Sequence, residues 1–372
     1  MSIHSDKSQP LVLVQALRAV AALLVLIGHV QGHVVGTAAA SGVALRPVPF
    51  IAGGFGVDLF FAISGFIMVV SSSRLFDAPG ARSTFLLRRA FRLIPLYWFA
   101  TLAYVALVLV GSHAVPRDFA LAAAASLAFF PYASDGADVF PVFTLGWSLN
   151  YEVFFYLLFS MFIVWPLRRA VLGVTAALLA VAAVGAVMHP ETVALRFWSQ
   201  PIILEFGFGV VFGFLWLRGW RIGAALATML ALCALAALVI DPLGLSIKVN
   251  GASTPNDWVR VIGWGLPAAT MLAGAVFFER GRIIDHPALA FPVALGDCSY
   301  SLYLMHPFAL LFIGKTWTGL HLERWLPWPV LALALIAGSV ALAWLSYRTI
   351  EKPVTRWLHR RAAARPHAPM PA

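Results

Sequence analysis

Apolar runs of bilayer-spanning length alternate with short polar segments along nearly the whole chain. They fall at roughly 11–30, 53–72, 92–112, 142–165, 169–188, 200–217, 222–240, 258–278, 293–313 and 328–349, most of them near the ~20 residues a helix needs to cross the hydrocarbon. Backbone polar groups in lipid must be satisfied internally, and runs of this length satisfy them as helices rather than as barrel strands. The pattern predicts an all-α fold, a polytopic integral membrane helix bundle of about ten transmembrane helices. A short or amphipathic helix is expected over 118–130. The domain organisation expected is a short N-terminal segment at 1–10, a transmembrane domain at 11–350 and a basic, disordered tail at 351–372. The first run lacks a convincing small-residue cleavage site and reads as a retained span, not a leader.

Charge gives the bundle a direction. Only 11% of the 372 residues are charged, against roughly a quarter in soluble domains, and the net charge is +10. That excess does not imply nucleic acid, because cytoplasmic loops of membrane proteins collect Lys and Arg. With the N-terminus placed in the cytoplasm, the inner segments hold Arg74, Arg82, Arg88, Arg89 and Arg92, the pairs Arg168/Arg169, Arg218/Arg221 and Arg280/Arg282, and the basic C-terminal tail. The outer segments hold far fewer, among them Arg46, Arg117, Arg196 and Arg260. Both termini are therefore expected inside, with the tail touching anionic lipid. Trp98, Trp147, Trp258 and Trp328 lie near span ends and fit interfacial belts. The two cysteines, Cys233 and Cys298, have no CxxC partner, so metal and redox work are not expected.

The informative residues are those a membrane should reject. Arg18 and His29 lie eleven residues apart in the first run, which puts them about 20° apart on one helix face and ~16 Å apart along the axis. Asp58, Glu152, Glu205 and His306 are expected with His29 at a similar depth in the outer half of the bundle. Ionisable groups inside a bundle normally face each other or a wet cavity. On the inner side, Arg88 and Arg92 are i,i+4 neighbours, and arginine forks suit phosphate. The chain thus has a phosphate-friendly inner end and an acid–base outer end. Acyl-coenzyme A, a phosphorylated head on a long thin arm, has the shape to bridge them. His29 and His33 have a spacing that metal sites use, but no further ligand context follows, and no metal is expected. Ser64 reads as a helix-packing residue.

Arg18-x10-His29, "GVDLFFAISGF", "RRAFRLIPLYW", "WSLNYEVFFY" and "SYSLYLMHP" occur in this order over nearly the whole chain. Together they resemble the membrane-bound acyltransferase 3 family, which O-acylates glycans and other extracytoplasmic acceptors, with the exopolysaccharide-modifying branch most similar. The resemblance implies ten spans in a bacterial inner membrane, an acyl-CoA donor (acetyl-CoA by default) used as substrate with no permanently bound cofactor, and a glycan or lipid-linked sugar acceptor met outside. It implies His29 as the central catalytic residue and donor binding by Arg18, Arg88 and Arg92. Glu205, Tyr303 and His306 are the candidate substrate-binding groups.

A sugar hydroxyl is a poor nucleophile, so a positioned base helps its attack on the thioester, and histidine titrates near neutrality. His29 is expected to act as base, or as a nucleophile through an acyl-histidine. Asp58 or Glu152 would orient the imidazole, as in a triad without its serine. The rival is a proton- or ion-coupled transporter built on the same His, Asp, Glu and Arg groups. It lacks the inverted repeats and paired broken helices common in such carriers. A third class, in which the polar residues only glue helices together, does not account for the two-ended polarity.

Overall fold

The computed structural model describes residues 11–48, 52–111, 115–133, 139–246, 257–280, 282 and 286–363. The expected N-terminal segment 1–10 and tail residues 364–372 lie outside the described residues. Every apolar run of the sequence contains helix, and there is no strand among the described residues. The helices are α1 (Val12–Ala40), α2 (Phe55–Ser71), α3 (Ala81–Gly111), α4 (Phe119–Leu127), α5 (Gly146–Phe162), α6 (Leu167–Met188) and α7 (Val193–Trp198). They continue with α8 (Leu204–Leu217), α9 (Ala224–Ile240), α10 (Trp258–Glu279), α11 (Ala290–Asp297), α12 (Ser299–Gly319), α13 (Trp328–Ser346) and α14 (Lys352–Ala363).

Five described helical stretches are long and apolar enough to cross a membrane: α1, α3, α6, α10 and Trp328–Ala362. A sixth is obtained if Pro287–Asp297 and α12, bent by 67° at a short break, count as one span. Helices α2 and α9 and the stretch Pro201–Leu217 are apolar but shorter. The chain is a multi-pass, all-helical membrane protein. Two sequence expectations change in detail. The expected ninth run is not one straight helix, because the chain breaks at Cys298 between α11 and α12. Part of the expected disordered tail is ordered, since Lys352–Ala363 forms α14.

Helix α2 occupies the centre, and small residues let it get there. A Cβ on Gly65 would lie 2.0 Å from the Phe206 carbonyl oxygen of α8, and one on Gly209 of α8 would lie 2.0 Å from the Ala62 carbonyl oxygen of α2. On the α1 side, a Cβ on Gly56 would lie 2.2 Å from the Ala21 carbonyl oxygen. Backbones can approach this closely only where side chains are absent, which is how helices associate when lipid removes the hydrophobic drive between them. The α2–α8 seam is filled by aromatic rings, with Phe61, Phe206 and Phe155 stacked in succession at 4.4 Å.

Two π-helical turns interrupt the bundle, Val261–Gly265 within α10 and Tyr347–Glu351 between α13 and α14. Each is followed two residues later by a proline, Pro267 and Pro353. Proline lacks the N–H that the helical ladder needs, and such bulges are frequent at functional positions. Arg260 directly precedes the first, and Glu351 ends the second. The start of α1 is held from another helix. Glu279, at the end of α10, accepts hydrogen bonds from the Val12 and Leu13 backbone N–H groups at 2.6 and 3.1 Å. This carboxylate satisfies two of the donors that a helix start leaves free and complements its dipole.

Candidate active site

The polar residues of the bundle separate into three groups. The first surrounds a cavity of about 100 Å³ between α1, α2, α3, α5 and α12. Arg18, Arg89 and Arg92 line it together with Glu152, Ser64, Tyr156, Tyr300 and Tyr303. Arg18 is 7% exposed and donates from Nη1 to Gln15 Oε1 at 2.8 Å. Arg89 donates to Ser71 Oγ at 3.0 Å, and its Nε is buried without a partner among the described residues. The one carboxylate lining this cavity, Glu152, accepts from Ser64 Oγ at 3.2 Å and from the Tyr156 hydroxyl. Three guanidiniums thus share one carboxylate that hydroxyls already engage. Buried charge needs compensation, and an anion bound between these arginines would supply it.

This arrangement corrects two expectations. Glu152 does not stand with His29; it belongs to the arginine end. Ser64 faces the cavity and bonds to Glu152, so it is more than packing. Arg88 and Arg92 do share a helix stripe, but the face of α3 that meets the cavity passes through Arg89 and Arg92, and Arg88 is exposed outside it.

The second group is an ion pair sealed between α2, α8 and α10. Arg260 donates from Nε to Asp58 Oδ1 at 2.9 Å and from Nη2 to Asp58 Oδ2 at 2.8 Å, with the two residues 1% and 0% exposed. The guanidinium lies over Trp147 and Trp264, 5.5 Å from each ring centre. Trp147 therefore packs on a buried cation instead of serving an interfacial belt. Glu205 is fully buried beside the pair, and its Oε1 would lie 2.7 Å from a Cβ on Gly265. Asp58 is thus not the orienting carboxylate of His29, and Glu205 is not near the histidine. The reason is that a carboxylate inside a bundle takes the nearest cation, and Arg260 is that cation. Arg260 fell inside an apolar run of the sequence but was counted with the outer loops; its place within the run was the signal for it.

The third group is a pair of histidines. His29 of α1 and His306 of α12 have ring centres 5.0 Å apart. His29 Nδ1 lies 2.8 Å from the Val25 carbonyl oxygen, and His306 Nδ1 lies 3.0 Å from that of Leu302. A carbonyl only accepts, so these bonds assign the ring proton to Nδ1 and leave Nε2 as the lone-pair nitrogen in each neutral ring. His29 is exposed, whereas His306 is 1% exposed with Nε2 unpartnered among the described residues. A backbone carbonyl, one turn back on the same helix, thus does for His29 what a carboxylate does in a triad. His33 lies on the same stripe with Nε2 against Gly314. No group of three metal-ligating side chains occurs among the described residues.

Tyr303 separates the first and third groups. Its hydroxyl donates to the Leu145 carbonyl at 3.0 Å and sits 2.8 Å from Ser148 Oγ. Its ring meets Phe60 edge-on at 6.2 Å and His306 at 6.5 Å. The arginine cavity therefore ends on a tyrosine whose other side carries the histidine pair.

Residues 13–348 match the family model described as an acyltransferase domain. The chain is also similar to the exopolysaccharide production protein ExoZ of Rhizobium meliloti (strain 1021). The two are 33% identical over 312 residues, 82% of this chain and 91% of the relative. No solved structure matches. The transporter alternative gives way to these matches, and the chain belongs to the acyltransferase 3 family.

Proposed function

We propose that this protein moves an acyl group, acetyl by default, from cytoplasmic acyl-CoA to a hydroxyl of an exopolysaccharide or its lipid-linked precursor. It would do so in a bacterial inner membrane, from a domain over 11–350 that crosses about ten times. The predominance of arginine in the segments on one side supports placing both termini in the cytoplasm. The relative's printed role in exopolysaccharide production supports the acceptor class.

The observation that carries the mechanism is the separation of an arginine cavity from an exposed imidazole with a fixed tautomer. Arg18, Arg89 and Arg92 hold a phosphate or the polar arm of the donor. His29 Nε2 takes the proton from the acceptor hydroxyl as its oxygen attacks the thioester carbonyl. The carbon–sulfur bond then breaks, and the imidazolium returns its proton to the departing thiolate. Val25 holds the ring in the required tautomer throughout. Glu152, with Ser64 and Tyr156, sets the charge of the donor cavity and takes no proton from the acceptor.

The test uses purified protein in nanodiscs, with acetyl-CoA binding followed by calorimetry and acetyl transfer followed with labelled donor and isolated polysaccharide. Wild type binds and transfers. Arg18→Ala and Arg89→Ala lose binding, whereas His29→Ala binds donor and transfers nothing. A folded wild type with no affinity for acetyl-CoA or longer acyl-CoAs overturns the donor assignment.

A further inference from the structure

The arginine cavity has room for part of an extended arm but not for a nucleotide, so a donor of the proposed kind needs a second contact outside it. Two basic stretches meet at its inner mouth. Residues 81–92 of α3 and 352–363 of α14 contain Arg82, Arg88, Arg89 and Arg92, and Lys352, Arg356, Arg360 and Arg361, and neither stretch holds an acid. Charge of this density keeps these turns out of the hydrocarbon.

The two stretches are packed together. Thr355 Oγ1 donates to the Phe91 carbonyl at 3.4 Å, and the His359 ring meets the Phe91 ring edge-on at 5.5 Å. Phe91 thus docks against successive turns of α14. Arg356 and Arg360, each next along the chain from these contacts, come down beside the first turns of α3, where Arg88 is exposed. Arg89 and Arg92 turn from the same turns of α3 into the cavity. Arg88, Arg356, Arg360 and Arg361 are all exposed. Only Arg361 is engaged with a ring, lying 4.1 Å from the centre of Trp357.

Resting on the donor assignment above, we infer that Arg88, Arg356 and Arg360, with Arg361 at their edge, form the subsite for the phosphorylated adenosine head of acyl-CoA. The 3′-phosphate and 5′-diphosphate are the anions such forks take, and the subsite is continuous with the cavity that holds the arm. Helix α14 is then part of the donor site. The occupant is the donor nucleotide, not the phosphates of neighbouring lipids.

The full-length protein in phosphatidylcholine nanodiscs is titrated with CoA, 3′-dephospho-CoA and pantetheine, and again in discs containing phosphatidylglycerol. Wild type prefers CoA to its dephospho form. Arg356→Ala/Arg360→Ala/Arg361→Ala, whose melting profile matches wild type because these side chains are exposed, binds CoA about tenfold more weakly. It binds dephospho-CoA and CoA alike, and pantetheine as wild type does. Unchanged discrimination in the triple variant overturns the subsite. An effect confined to phosphatidylglycerol discs assigns the arginines to lipid and overturns it equally. A wild type that binds no CoA brings down the donor assignment itself, which separates the two failures.

Discussion

Replacing Arg260 tests whether Asp58 is structural or catalytic. The pair is 1% and 0% exposed and joined by two hydrogen bonds of 2.9 and 2.8 Å. Arg260→Met leaves the Asp58 carboxylate in a sealed site, with Glu205 adding a second carboxylate and no other cation shown at the site. Breaking such a pair from one side costs about 3–5 kcal/mol. Removing both charges as Asp58→Leu/Arg260→Met costs far less, because a buried pair is often no better than well-packed apolar groups of similar volume. A double-mutant cycle should therefore show a coupling of about 3 kcal/mol or more. Arg260→Lys keeps the charge but loses the fork and the stacking on both tryptophans, and should fall between. The readout is thermal and denaturant unfolding in detergent, followed by fluorescence and monodispersity, with transfer measured on each folded variant. The reasoning fails if Asp58→Asn melts like wild type and loses transfer, for Asp58 would then act on the reaction.

Three further outcomes follow from single contacts. His29→Gln should lower transfer by about 10²- to 10⁴-fold and leave calorimetric donor affinity unchanged; a parallel loss of affinity would refute the separation of the two ends. Gly65→Ala, whose Cβ would sit 2.0 Å from the Phe206 carbonyl, should cost about 1–3 kcal/mol or more. Gly36→Ala, with nothing within 4 Å, should be neutral or gain up to ~1 kcal/mol, so similar melting of the two would refute the close α2–α8 approach. Glu279→Gln keeps an acceptor at the start of α1 but removes its charge, and should cost about 1 kcal/mol in unfolding experiments.

The helices were legible because lipid writes them plainly, as apolar runs long enough to cross. Helix α3 was legible only in part, because its first turns carry Arg82, Arg88, Arg89 and Arg92 and no hydropathy window selects them. The α11–α12 break was hidden because the apolar run continues through Cys298. At the site, the Arg18–His29 spacing correctly placed two residues on one helix at different depths. Choosing Arg88 over Arg89 failed because spacing within a helix says which residues share a stripe, not which stripe meets the cavity. Asp58 misled for a related reason. Its partner is Arg260, 202 residues away, and no local pattern announces a contact at that range. Glu152 looked like a histidine partner by its depth alone, and depth does not tell which neighbouring helix a side chain faces.

Tyr303 and Phe60 have a consequence for the cell's energy supply. A catalyst whose two reactants occupy different aqueous compartments sits across the voltage that drives ATP synthesis. A continuous file of water from the arginine cavity to His29 would conduct protons down that voltage at every moment, with or without substrate. Two aromatic rings meeting edge-on, one pinned through its hydroxyl to Leu145 and Ser148, form a dry septum of the kind that blocks conduction by excluding water. The septum therefore serves as electrical insulation, and widening it with Tyr303→Ala would turn the acyltransferase into a leak that dissipates the proton gradient of sealed vesicles.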